Sequence, residues 1–258
     1  MMKRMNRKLF AALLACALCG ALAPAGVLVP ARVWAAEGDY ILKDGKIYRV
    51  DGGKETLLED EEPQSDATDA GLWSWVQVDP EYDGMGGSES GVCFFLGEDE
   101  KPAGFLPIEN AGSCSLAFSP SGEKLLVNRS VGDKQDIGLY LVDAAKKTFV
   151  RQKSFVGIGV CFWADPHRFI YNRIDEAKGI RSGSDDIGWY SAALYDSVED
   201  ELIVIKEATA TKNYLLAGFD HETGTLELHE VFVEDEKDWA DGEKIEDREI
   251  TVPIPAAG

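Results

Sequence analysis

Four short apolar runs recur along this chain at nearly even intervals, and that spacing limits what the chain can fold into. They are Lys46-Ile-Tyr-Arg-Val-Asp51, Gly91-Val-Cys-Phe-Phe-Leu96, Gly138-Leu-Tyr-Leu-Val-Asp143 and Gly188-Trp-Tyr-Ser-Ala-Ala-Leu-Tyr-Asp196, starting 45, 47 and 50 residues apart. A polar turn and a second apolar run follow each: Thr56-Leu-Leu58, Gly104-Phe-Leu-Pro-Ile108, Thr148-Phe-Val150 and Leu202-Ile-Val-Ile205. β-branched and aromatic runs joined by Gly-, Asp- and Lys-rich turns read as hairpins.

A further block precedes the third and fourth runs. Leu116-Ala-Phe-Ser-Pro-Ser-Gly-Glu-Lys-Leu-Leu-Val-Asn128 answers Val160-Cys-Phe-Trp-Ala-Asp-Pro-His-Arg-Phe-Ile-Tyr-Asn172. Each is a strand, a turn containing proline and a second strand ending in asparagine. Together the blocks give four strands per unit, and helical periodicity is nearly absent beyond the N-terminal segment. Four-stranded units recurring every 40–50 residues predict an all-β chain, a single β-propeller of about five four-stranded antiparallel blades. The units fall near residues 40–58, 72–108, 113–150, 158–205 and 214–254. The first is short of a strand, and the alternating Ile250-Thr-Val-Pro-Ile254 segment could complete it, as closure of a propeller would require.

The run Phe118-Ser-Pro-Ser-Gly-Glu-Lys-Leu-Leu-Val127 resembles the strand–turn–strand of TolB-like propeller repeats. The run Gly138-Leu-Tyr-Leu-Val-Asp143 is similar to the strand that follows in the same repeat. The resemblance implies a scaffold that binds proteins or small ligands, while some such propellers are gating domains of peptidases.

The first 36 residues carry Lys3, Arg4, Arg7 and Lys8, then an apolar run, then small residues at Val33, Ala35 and Ala36 before Glu37. That order predicts a cleavable secretory signal over 1–36 and a working domain over 37–258, periplasmic or secreted. Pro24, Gly26, Pro30 and Arg32 interrupt the apolar run and argue against a membrane-spanning anchor. Leu13-Leu14-Ala15-Cys16 is the outline of a lipid-attachment box, but the segment stays apolar well past Cys16.

The whole chain has 26 basic and 46 acidic residues, a net charge of −20. Five basic residues and no acidic one lie within 1–36, so cleavage leaves a net charge of −25. Such a surface repels phosphate backbones and anionic headgroups, which excludes nucleic acid as the expected partner.

Chemistry is sparse. His167, His221 and His229 lack metal-ligand spacing, and there is no G-x-S-x-G elbow or phosphate loop. One run, Asp79-Pro-Glu81-Tyr-Asp83-Gly84, sets oxygen ligands at alternate positions with glycine sixth, as a calcium loop does. Its twelfth position is Ser90, so the closing carboxylate is missing. Otherwise no cofactor is expected. Cys93, Cys114 and Cys161 remain after cleavage; a Cys114–Cys161 bridge between adjacent leading strands and three buried thiols are both open.

The acidic stretches Glu59–Asp69 and Glu234–Glu243 read as solvated loops. Trp239 stands alone inside the second, with no local apolar neighbour, and is the candidate partner-binding anchor. Asn128-Arg129-Ser130 formally fits a glycan acceptor. The expectation is a non-catalytic propeller scaffold binding a protein or small ligand in the bacterial envelope. The alternative is a secreted hydrolase with acids converging at the propeller channel.

Overall fold

A computed structural model describes residues 40–44, 46–51, 53–57, 63–78, 91–97, 102–108, 114–131, 134–181 and 187–256. The predicted signal segment and the run holding Asp79, Glu81 and Asp83 lie outside the described residues.

The described chain is mostly strand, and each sheet is antiparallel with sequence neighbours paired. The first sheet holds β1 (Tyr40–Lys43), β2 (Lys46–Asp51) and β3 (Lys54–Leu57). The second holds β4 (Gln64–Thr68), β5 (Gly71–Val78), β6 (Gly91–Leu96) and β7 (Gly104–Pro107). A seven-stranded sheet follows: β8 (Cys114–Phe118), β9 (Lys124–Val131), β10 (Lys134–Asp143), β11 (Thr148–Trp163), β12 (Arg168–Ile174), β13 (Tyr190–Asp196) and β14 (Glu201–Lys206). The last holds β15 (Lys212–Asp220), β16 (Thr225–Phe232) and β17 (Glu246–Pro253). The helical elements among the described residues are two short 3-10 turns, Glu176–Lys178 and Glu236–Ala240.

β4 lies in the stretch read from the sequence as a solvated loop, and the strand pairing departs from the predicted units in two further ways. The third and fourth units are not separate sheets. β11 pairs through Thr148–Gly157 with β10 and through Gly157–Trp163 with β12, so one strand serves both. Gly157 and Gly159 form the elbow. A Cβ on Gly157 would lie 2.5 Å from the Asn172 carbonyl oxygen, and Gly159 has φ +69°, a conformation glycine adopts without strain. The second departure concerns β17. It pairs with β16 and is the third strand of its own sheet, so the Ile250–Ile254 segment does not complete the first sheet. Among the described residues no ladder joins the first sheet to the last.

Alternation along the central strands shows how the sheets stack. Val92 and Phe94 face one core cluster, while Cys93 and Phe95 face another. Leu125 and Val127 face back toward the second sheet, and Leu126 faces forward. On β13, Ala193 and Tyr195 point back while Ala192 and Leu194 meet Tyr214, Leu216, Leu226 and Leu228 of the last sheet. A strand buried on both faces loses the polar half of its alternation, which is why the Ser-Ala-Ala-Leu-Tyr stretch reads as continuously apolar. Rings fill the gap between the second and seven-stranded sheets. Trp73 stacks on Phe118 at 4.6 Å and Phe94 on Phe149 at 4.5 Å.

Side-chain amides tie each layer to the next. From the second strand of one unit, an amide reaches the backbone of the first strand of its successor. Gln77 Nε2 donates to the Cys114 carbonyl, Asn128 Nδ2 to that of Gly159, and Asn172 Nδ2 to that of Tyr214, each at 2.7 Å. Asn172 completes its clamp by accepting from the Leu216 amide at 2.9 Å. Asn128 Oδ1 is buried with no partner among the described residues. The register shift between Ile158 and Cys161 interrupts the strand where a second bond would form. Asn128 is also only 6% exposed, so the formal glycan acceptor is an interior clamp.

Asn172→Leu should therefore be the most damaging of the three clamp substitutions. It strands both the Tyr214 carbonyl and the Leu216 amide, at about 2–4 kcal/mol, against about 1 kcal/mol for Gln77→Leu. Urea denaturation measures the order, and equal losses would contradict it.

Candidate functional site

Of the residues singled out from the sequence, Trp239, Cys114 and Cys161 are described, and they lie in three different core clusters. Trp239 is 2% exposed and packs with Val233 and Ile245, which corrects the expectation of a ring without apolar neighbours offered to a partner. The acidic run folds into the 3-10 turn Glu236–Ala240, begun by the Asp235 carboxylate accepting from the Lys237 amide. That turn swings the indole inward, where Nε1 donates to the Ala210 carbonyl at 2.8 Å.

Trp239 covers a buried cation there. The Arg181 guanidinium lies 4.5 Å from the Trp239 ring and 4.3 Å from the Trp189 ring. Its Nε donates to the Gly188 carbonyl, its Nη1 to those of Thr209 and Ala210, and its Nη2 to Lys212 O and Asn213 Oδ1. Arginine has five N–H donors, and each meets an oxygen. Burial pulls Arg181 down to about 10, still charged at neutral pH.

Cys114 and Cys161 are thiols, so the favoured bridge is not formed. They lie on the first strands of successive units and both face backward. Cys114 packs toward the second sheet, and Cys161 into the cluster between the two halves of the seven-stranded sheet. Burial pushes Cys114 up to about 11 and Cys161 up to about 12, which makes both poor nucleophiles. Among the described residues no group of three or more His, Cys, Asp or Glu could hold a metal ion.

A different set of residues converges. Between the second and seven-stranded sheets lies a cleft of about 140 Å³, lined by Pro107, Ile108, Val127, Arg129, Asp136, Gly138, Tyr140 and Arg151. Arg129 and Asp136 are direct cross-strand partners on the β9–β10 hairpin. Arg129 Nη2 approaches Asp136 Oδ2 at 3.4 Å, and Arg151 Nη2 reaches both Asp136 oxygens at 2.7 Å. Arg151 also lies 5.9 Å from the centre of the Tyr140 ring, with which it is in register. Gly138 makes this possible: a Cβ there would sit 2.7 Å from that ring and 3.3 Å from Arg151 Nε.

Donors are left over. Asp136 engages one terminal nitrogen of each guanidinium. The other nitrogens of Arg129 and Arg151, and the Tyr140 hydroxyl, have no hydrogen-bond partner among the described residues. Burial raises the Tyr140 phenol above its ordinary range, partly offset by Arg151. The formal charge of the four side chains is +1 in a chain of −20.

The sequence held one signal for this cleft. Val131-Gly-Asp-Lys134 reads as a two-residue hairpin turn, and its register sets Arg129 opposite Asp136. Arg151 has no comparable signal, because it joins the face only through the bulged register of β10 with β11.

No family model matches the chain, and no curated protein matches it. Among solved structures, one similar chain is a functionally unknown protein from Desulfotomaculum acetoxidans DSM 771. The likeness covers 77% of this chain and 64% of that one, at 12% identity and a TM-score of 0.42. Tricorn protease is matched over 75% of this chain and 18% of its own, at 12% identity and 0.41. TolB from Acinetobacter baumannii is matched over 77% and 61%, at 10% identity and 0.30. This chain spans less than two thirds of the length of each, and likenesses of this size assign neither activity nor partner.

Two outcomes are expected. Trp239→Ala removes a buried ring and uncovers Arg181, costing about 3–5 kcal/mol. Calorimetry should record a Tm lower by roughly 10 °C; an unchanged Tm would contradict the packing role. The second outcome concerns pH. A thiol whose folded pKa is raised contributes stability that is present below the ordinary value of 9.0 and lost as pH climbs toward 11–12. Stability should thus fall between pH 9 and 12, and less steeply in the Cys114→Ala/Cys161→Ala variant.

Proposed function

We propose that the protein is an exported, non-catalytic propeller scaffold that holds a partner or small ligand in the cleft between its second and seven-stranded sheets. Face-to-face stacking of successive antiparallel sheets supports the propeller arrangement, and the order of residues in 1–36 supports export. The observation that carries the binding role is the set of unaccepted donors on Arg129, Arg151 and Tyr140. Polar groups that converge without acceptors among the described residues, in a concave and mainly polar cleft to which Pro107, Ile108 and Val127 add a small apolar part, suit a small polar ligand.

Recovery of the native ligand tests this. The chain is isolated from the envelope fraction under mild conditions, and what co-purifies is compared with an Arg129→Gln/Arg151→Gln variant of matched Tm. Wild-type protein should begin at Glu37 and retain a ligand or partner that the variant loses. Equal retention by both, or protein that stays in the cytosol with 1–36 attached, would overturn the reading.

A further inference from the structure

Resting on the cleft as a binding site, we infer that its ligand is a small monocarboxylate, held by Arg129 and Arg151 with its short carbon chain on the small apolar part of the lining from Pro107, Ile108 and Val127. Geometry, charge and size each narrow the class. A guanidinium offers a planar fork matched to an oxyanion with two in-plane oxygens. The Nε and Nη1 edge of Arg129 has no acceptor among the described residues, and its contact with Asp136 is long at 3.4 Å. A carboxylate can take that edge without displacing Asp136 from Arg151.

Charge selects between oxyanions. Two guanidinium groups and one carboxylate leave one positive charge, which a monoanion neutralises. A phosphate dianion would leave the cleft net negative within a chain that is already at −20. Volume sets the length. About 140 Å³ has room for about five water-sized groups, which suits a carboxylate with a short chain. The Tyr140 hydroxyl supplies one more donor, and Gly138 leaves the floor open where any side chain would push Arg151 aside.

Butyrate is the probe, with butyramide as its neutral counterpart and inorganic phosphate as the competing oxyanion. Each is titrated into the full-length mature chain while the arginine Nε–H resonances are followed by NMR. Butyrate should shift the Arg129 and Arg151 signals saturably and bind more tightly than phosphate. Arg129→Gln should weaken it about tenfold, the effect of losing charge-assisted hydrogen bonds, and Tyr140→Phe less. Saturable butyramide binding as tight as that of butyrate, or tighter phosphate binding, would overturn the carboxylate assignment while leaving the cleft a binding site. If none of the three shifts either arginine, the assignment falls. Loss of the native ligand in the arginine double variant then decides separately whether the cleft binds at all. The NMR readout on unmodified protein does not depend on any variant folding.

Discussion

An amide reaching from one repeat unit to the backbone of the next is the interaction on which the stack depends. Apolar burial between sheets is large but has no direction, so two apolar faces alone could slide past one another. Gln77, Asn128 and Asn172 remove that freedom by fixing a named carbonyl on the following layer. The arrangement costs something only if a bond is missed, because a buried amide without a partner is strongly unfavourable. The three clamps sit on equivalent strands, so from the third unit onward the register of each unit is set by the one before it.

How far this was legible depends on the element. The paired blocks ending in Asn128 and Asn172 gave both the repeat and, in retrospect, its purpose, since the shared asparagine is the clamp. Sheet positions followed from alternation wherever a strand had a wet face. β4 was missed and read as part of a solvated loop, because Gln64-Ser-Asp-Ala-Thr68 is too polar to signal a strand. Its role is carried by Asp66, whose carboxylate accepts the Phe118 amide from the next layer. Trp239 was misread for a related reason. Its apolar neighbours Val233 and Ile245 flank the acidic run, and only the 3-10 turn brings them together with Ile187 from a distant segment. The merging of the third and fourth units was invisible, since periodicity marks where strands lie and not where one sheet ends.

Charge is organised unevenly. Acidic residues dominate the composition, yet the most buried cation among the described residues, Arg181, has no carboxylate hydrogen-bonded to it among them. Backbone oxygens and two indole faces replace the counterion, a solution that avoids burying a second charge. In doing so Arg181 fastens the segment that begins β13, the Thr209–Asn213 turn and the 3-10 turn under Trp239 into one junction. The cleft uses its arginines differently. There Asp136 holds two guanidinium groups side by side, which would repel each other if left alone, and spends few of their donors in the process.

The glycine elbow in β11 has a consequence for protection of the fold. Two separate sheets would each present a bare outer strand whose unpaired amides and carbonyls invite a neighbouring chain. By carrying β11 around the corner at Gly157–Gly159, the molecule links the two halves through one strand, each half of which pairs on one side only. The last strand of one half and the first of the next are the same backbone, paired with β10 up to Gly157 and with β12 from Gly157 to Trp163. The halves must then open together, with amide exchange along β11 tracking unfolding of the whole seven-stranded unit. Outer strands remain at β8, at β14 and along each half of β11, and on the short β14 the charges of Glu201 and Lys206 discourage strand addition.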